Sequence, residues 1–234
     1  MSTHEYLSND YFLLTLTFGV YFLAKLVRKL LRLPLFNPIL VSIAFLIIFL
    51  RVADVDYEEY RVSGAKIDFW LKPAVVALGV PLYKQLSSIR QEILPILLSQ
   101  LAGCVVGVVS VVGIARLMGA STDVVLSLAA KSVTTPIAME VTESVGGIPA
   151  LTATIVVFVG IVGAITGFRI LRYGHIGMPS SQGISLGTAS HAVGTSAAME
   201  RSMEHGAYAS LGLTLNGIFT AILAPYVLHW MGVM

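Results

Sequence analysis

The chain has 234 residues, of which 56% are hydrophobic and 12% charged, with a formal net charge of +2. A water-soluble domain is usually about a quarter charged, so the composition excludes an ordinary soluble class. The small net charge, without a basic run interleaved with aromatics, also points away from nucleic acid.

Apolar residues cluster in long blocks, as membrane spans do. A short tail at 1–10 precedes a predicted span over 11–31, whose basic flank (Lys25, Arg28, Lys29, Arg32) sets its end on the cytoplasmic side. The tail has no basic n-region and no small-residue cleavage site follows, so this span reads as an anchor. A second span covers 36–50; Pro34 and Pro38 open it, where a missing N–H costs little. Residues 51–68 form the only long polar connection. With Asp54, Asp56, Glu58, Glu59 and Asp68 against Arg51, Arg61 and Lys66, it reads as an outer loop. Spans at 93–118, 148–171 and 207–231 follow, with a linker at 173–181. Two shorter blocks, 69–83 and 183–198, are broken by Gly or Pro. The single cysteine, Cys104, lies inside a span, so no disulfide framework exists.

Segment 124–147 places Lys131, Ser132, Thr134, Thr135 and Pro136 in a stretch otherwise apolar enough for a bilayer. Burying a lysine there costs roughly 2.5–3.5 kcal/mol on insertion scales. Pro136 removes a backbone donor and frees a carbonyl near Ser132 or Val133. An ammonium, hydroxyls and freed carbonyls make a polar pocket of mixed sign. The competing reading has Lys131 snorkelling to an interface, about seven residues or roughly 10 Å away, with the threonines bonded to their own helix. Glu140 follows the break and can serve as counter-ion to Lys131 or couple a proton; Glu143 reads as a solvated helix end.

Residues 187–198 are a second polar break. Gly194 opens a half-helix whose free N–H groups favour a carboxylate, Ser190 and Thr195 offer hydroxyls, and His191 can bind substrate or carry a proton. The bland alternative is a close helix crossing with His191 bonded to a neighbouring carbonyl. Gly79 and Pro81 break the corresponding earlier segment. Asn37 and Asn216 read as helix-packing amides. No GxSxG, HExxH, Walker-type loop or Cys/His cluster is present, so no enzyme, cofactor or metal is expected.

At a shift of 115 residues Leu33-Pro34 falls on Ile148-Pro149, and Leu71, Ala74, Ala77 and Gly79 fall on Leu186, Ala189, Ala192 and Gly194. Paired broken segments in two repeats are the usual pointer to a transporter site. Full crossings by the broken segments make the repeats parallel; re-entrant ones make them inverted. The inverted version puts Arg116, Arg169 and Arg172 together on the inner side, which the charge count favours, while Lys84 and Arg90 argue the other way.

The strings LPLFNP (33–38), LKPAVVALGVPLY (71–83), KSVTTPIAM (131–139), GGIPALTA (146–153) and GTASHAVGTSAAME (187–200) resemble the LrgB/CidB family. The likeness runs from about Tyr11 to the last residues. It implies a multi-pass protein of the bacterial inner membrane, holin/antiholin-like, that modulates murein hydrolase export and autolysis with a small LrgA/CidA-type membrane partner. The same resemblance extends to plastid relatives that move glycolate and glycerate, to bacterial pairs implicated in pyruvate uptake, and to transporters with inverted repeats and crossed, broken helices.

The expectation is an all-α polytopic membrane protein with two similar, inverted repeats (11–118 and 119–234), each holding a broken or re-entrant helix. It is expected to transport a small monocarboxylate of the pyruvate, lactate or glycolate class. Lys131, Ser132, Thr134, Thr135, Ser190, His191, Gly194 and Thr195 would bind it, with His191 or Glu140 coupling a proton and Gly79, Pro81, Pro136 and Gly194 as helix breaks. The alternative is a holin/antiholin-like regulator or pore, oligomerising along its small-residue faces.

Overall fold

A computed structural model describes residues 7–31, 37–70, 73, 76–77 and 79–234, and every regular element among them is a helix. The chain divides into two compact units, residues 1–77 and 78–234. Leu33-Pro34, Leu71 and Ala74, used in the repeat comparison, lie outside the described residues, as do Arg32 and Lys72.

The first unit holds α1 (Asp10–Leu31), α2 (Pro38–Val52) and α3 (Tyr57–Asp68). Asn37 is a helix cap here: its side chain accepts from the Ile39 amide at 2.9 Å, and Pro38 occupies the first turn. The polar connection expected as a loop is largely helix. Asp56 caps α3 through the Glu58 amide at 3.0 Å, and Arg61 pairs with Glu58 one turn back at 2.7 Å. Ser63 and Lys66 both bind the Asp10 carboxylate at the start of α1. A helix held by a cap and charged pairs has no apolar stripe, so hydrophobic periodicity could not reveal it.

The second unit runs through α4 (Gly79–Lys84), α5 (Leu86–Gln91), α6 (Ile93–Leu117), α7 (Thr122–Ala129), α8 (Thr135–Ser144), α9 (Pro149–Tyr173), α10 (Pro179–Arg201) and α11 (Met203–Trp230). Helices α1, α6, α9 and α11 are long and apolar enough to cross a membrane. The protein is a multi-pass membrane protein.

Helices α6 and α11 run side by side in the same direction. Ile96 packs with Tyr208 and Leu211, Cys104 lies 3.4 Å from Thr220, and Arg116 donates to the Met231 carbonyl at 2.6 Å. Helix α9 runs the opposite way. Thr152 near its start bonds to Ser127 and Thr142, while Phe168 near its end stacks edge-on against His205 at the start of α11. Arg116 therefore marks one end of the unit, and Arg169 and Arg172 mark the other. This corrects the expectation that all three share a side: both topologies weighed from sequence assumed that α6 and α9 end together.

The two remaining segments fold back instead of crossing. After α8 the chain returns to α7, where the Ile148 amide donates to Ser127 Oγ at 2.8 Å. Within α10 the helix is interrupted at Ser190 (φ −131°, ψ 17°) and His191 (φ 41°, ψ −137°). A Cβ on Gly194 would lie 2.7 Å from the Leu186 carbonyl oxygen, eight residues back. A straight helix separates such residues by about 12 Å, so α10 is two antiparallel limbs with its tip at Ser190–His191. Both limbs lie along the first half of α11: Gly187 meets Ala209, and Met199 meets Gly206. The α7–α8 hairpin packs against the other half through a fully buried core of Val112, Val133, Ala138, Val156, Ala224 and Leu228.

Candidate functional site

Each fold-back leaves a main-chain carbonyl without its helical donor. Ser132 lies in the turn between α7 and α8, before the N-cap position Thr134, so its carbonyl has no helical donor. In α10 the non-helical dihedrals at 190 and 191 interrupt the helical ladder beside Thr188. A carbonyl unsatisfied at membrane depth costs several kcal/mol on the order of a buried amide's desolvation. One side chain answers both: Asn216 Nδ2 donates to the Ser132 oxygen at 3.2 Å and to the Thr188 oxygen at 3.0 Å. Carbonyls only accept, so the amide nitrogen must face them. Its Oδ1 is left buried and without a partner.

The first tip, the first limb of α10 and Asn216 border a cavity of about 310 Å³. Lys131 and Ser132 come from the first tip, Thr188 from α10, Gln100 and Cys104 from α6, and Asn216 from α11. Lys131 Nζ donates to Ser132 Oγ at 2.9 Å. Among the described residues no carboxylate lies within 4.0 Å of it; the ion pairs there are Arg61–Glu58 and Lys66–Asp10. Gln100 is 1% exposed, and its Oε1 accepts from Thr188 Oγ1 at 2.9 Å. The wall thus offers one cation and several hydroxyls, a set suited to a small anion. Among the described residues no group of three His, Cys, Asp or Glu side chains is placed to hold a metal ion.

The structure brings Lys131 and Ser132 together with the α10 segment, but the residues of α10 that reach the cavity are Ile184, Ser185, Thr188 and Ala189. Ser190 and His191 turn to α9: a Cβ on Gly163 would strike Ser190 Oγ, and His191 Nε2 donates to the Val156 carbonyl at 2.8 Å, its ring against Gly160. Thr195 Oγ1 donates to the His191 carbonyl at 2.9 Å. Gly194 lies within the second limb against Leu186, so the interruption falls three residues earlier than the glycine suggests. A histidine with φ of 41° is strained; the Val156 bond and the space at Gly160 hold it. Thr134 holds the extended N-cap position of α8, with Thr135 and Pro136 in its first turn, so this break is an extended tip before Pro136. Glu140 is exposed on α8 and is not brought to Lys131. Gly79 opens α4 and Pro81 falls in its first turn.

Sequence reasoning missed Gln100, Ser185 and Thr188 and set Asn216 aside as packing. A signal existed for Gln100, a lone amide in a strongly apolar span, since polar groups at that depth mark sites by default. No local signal singles out Asn216 from Asn37.

Residues 17–230 match the LrgB-like family. The chain belongs to that family. The protein YwbG of Bacillus subtilis (strain 168), whose name records it as uncharacterized, is 36% identical over 218 residues, 93% of this chain and 97% of its own. Antiholin-like protein LrgB of Bacillus mycoides (strain KBAB4) and that of Bacillus cereus (strain B4264) are each 34% identical over 198 residues, covering 85% of this chain and 86% of theirs. No solved structure matches. Within this LrgB-like chain the 131–139 and 187–200 strings supply the two tips that Asn216 joins.

Proposed function

We propose that this LrgB-like protein is an antiholin-like regulator in the bacterial inner membrane, acting with a small LrgA/CidA-type membrane protein on murein hydrolase export and autolysis. Its support is the match to relatives named antiholin-like over most of both chains. Deleting its gene should alter the rate of detergent-triggered autolysis, and the intact gene should restore it; an unchanged rate with hydrolases present sinks this reading.

A second reading, transport of a small monocarboxylate, is favoured by one observation: the Lys131 ammonium lines an intramembrane cavity without a carboxylate partner among the described residues. In this reading the substrate carboxylate neutralises Lys131, and Ser132 and Thr188 orient it. Thr134, Thr135, Ser190, His191, Gly194 and Thr195 then hold the two tips in shape around the solute. The hairpins enter from opposite ends, and we read α6–α8 and α9–α10 as an inverted pair. Pyruvate or lactate flux into proteoliposomes should saturate and should fall severely in Lys131→Ala, with Lys131→Arg recovering part of it. Equal flux in wild type and Lys131→Ala rules out this site.

A further inference from the structure

The Lys131 cavity has a neighbour. A second space of about 370 Å³ lies between the start of α6 and the start of α10, and Ser99, Ile184 and Ser185 belong to the walls of both. The two spaces therefore abut along three shared residues. The outer one begins at Glu92, the residue before α6, whose carboxylate accepts from Tyr208 Oη at 3.2 Å. Glu92 before α6 and Ser99 and Gly103 on it recur along the cleft at helical spacing, beside Pro95 and Ile96; on α10 Ser181, Ser185 and Thr188 do the same, beside Ile184. Two facing helix stripes that carry hydroxyls at bilayer depth suit water and do not suit lipid. At the inner end stand Lys131 and Asn216.

Charge gives the cleft a side. Arg90 ends α5 just before Glu92 and α6, Arg169 and Arg172 end α9, and Arg201, over the Phe168 ring at 4.5 Å, ends α10. These arginines flank the Glu92 end, whereas Arg116 flanks the opposite end beside Met231. An excess of arginine at the ends of spans marks the cytoplasmic face.

We propose that the cleft between α6 and the first limb of α10 is an aqueous path joining the cytoplasm to the Lys131–Asn216 cavity. The α7–α8 hairpin and its valine-rich core close the other end, so the conformation described is the one open to the cytoplasm. Ser99 and Ser185 form the neck. The path serves any small polar solute that the cavity takes, whichever reading of the function holds.

The test uses the full chain in membrane vesicles, with Cys104→Ser as background and a charged, membrane-impermeant methanethiosulfonate as probe. Single Ser185→Cys and Ser132→Cys variants should be modified in inside-out vesicles and spared in right-side-out ones. Adding Ser185→Trp or Ser99→Trp should abolish modification of Ser132→Cys. Modification from the outer side, equal modification from both, or none from either while the denatured protein still reacts would each overturn the path. So would undiminished modification in both tryptophan variants; if one fails to reach the membrane, the other decides. Labelling reads water and not turnover, so its failure and the failure of either functional reading are separately visible.

Discussion

Asn216 ties the α7–α8 and α10 fold-backs to α11. Its amide supplies two N–H donors, and the two fold-backs each free one carbonyl. Side-chain hydrogen bonds within membranes average only about 0.6 kcal/mol, but stranding the partners adds their desolvation. Asn216→Asp keeps the shape and loses at least one donor, so it should destabilise the protein by about 1–3 kcal/mol. Thermal unfolding in detergent measures this, and a melting temperature equal to wild type would show that the tips hold without the clip. His191 illustrates the opposite outcome at the same scale. Its titratable ring suggested proton traffic, yet the Val156 carbonyl fixes its Nε2 proton as a donor. The bland alternative weighed for this histidine describes its contacts.

Small residues let the α10 limbs reach α11 and α9. A Cβ on Gly187 would lie 2.0 Å from the Ala209 carbonyl oxygen, main chain that has no freedom to swing aside. Gly113 on α6 has nothing within 4 Å. Gly187→Ala should therefore cost about 1–3 kcal/mol by overpacking, whereas Gly113→Ala should gain about 0.5–1 kcal/mol from helix propensity. Paired unfolding measurements check the contrast, and equal effects would mean that α10 does not lie against α11 as described. Elements were unevenly legible. The apolar spans are visible from composition because burial in lipid demands long apolar runs. The α3 helix was not, since a polar helix held by Asp56, Glu58 and Arg61 shares the composition of a loop.

The path of the chain yields a test for the second unit as a whole. Because α7–α8 returns to its starting end, cysteines at Ser121 and Glu143 should be labelled from the same side of the membrane. Because α9 crosses, a cysteine at His175 should be labelled from the other. Sided alkylation in vesicles reads this directly; Ser121 and Glu143 on opposite sides would mean that α7–α8 spans. The return of α7–α8 explains why the three arginines were misplaced. Counting assumed Arg116, Arg169 and Arg172 share a face, but α6 and α9 end at opposite ends of the unit.

The amino-acid sequence alone determined the membrane class, the long spans and the presence of a break near Lys131 and Pro136, because each depends on neighbours within a few positions. A missing proline N–H or a run of twenty apolar residues is local chemistry. Tertiary structure alone decided which side chains face the cavity and what completes the freed carbonyls. Asn216 lies 84 residues from Ser132 and 28 from Thr188, and only packing of α11 against both tips brings one amide within reach of the two oxygens.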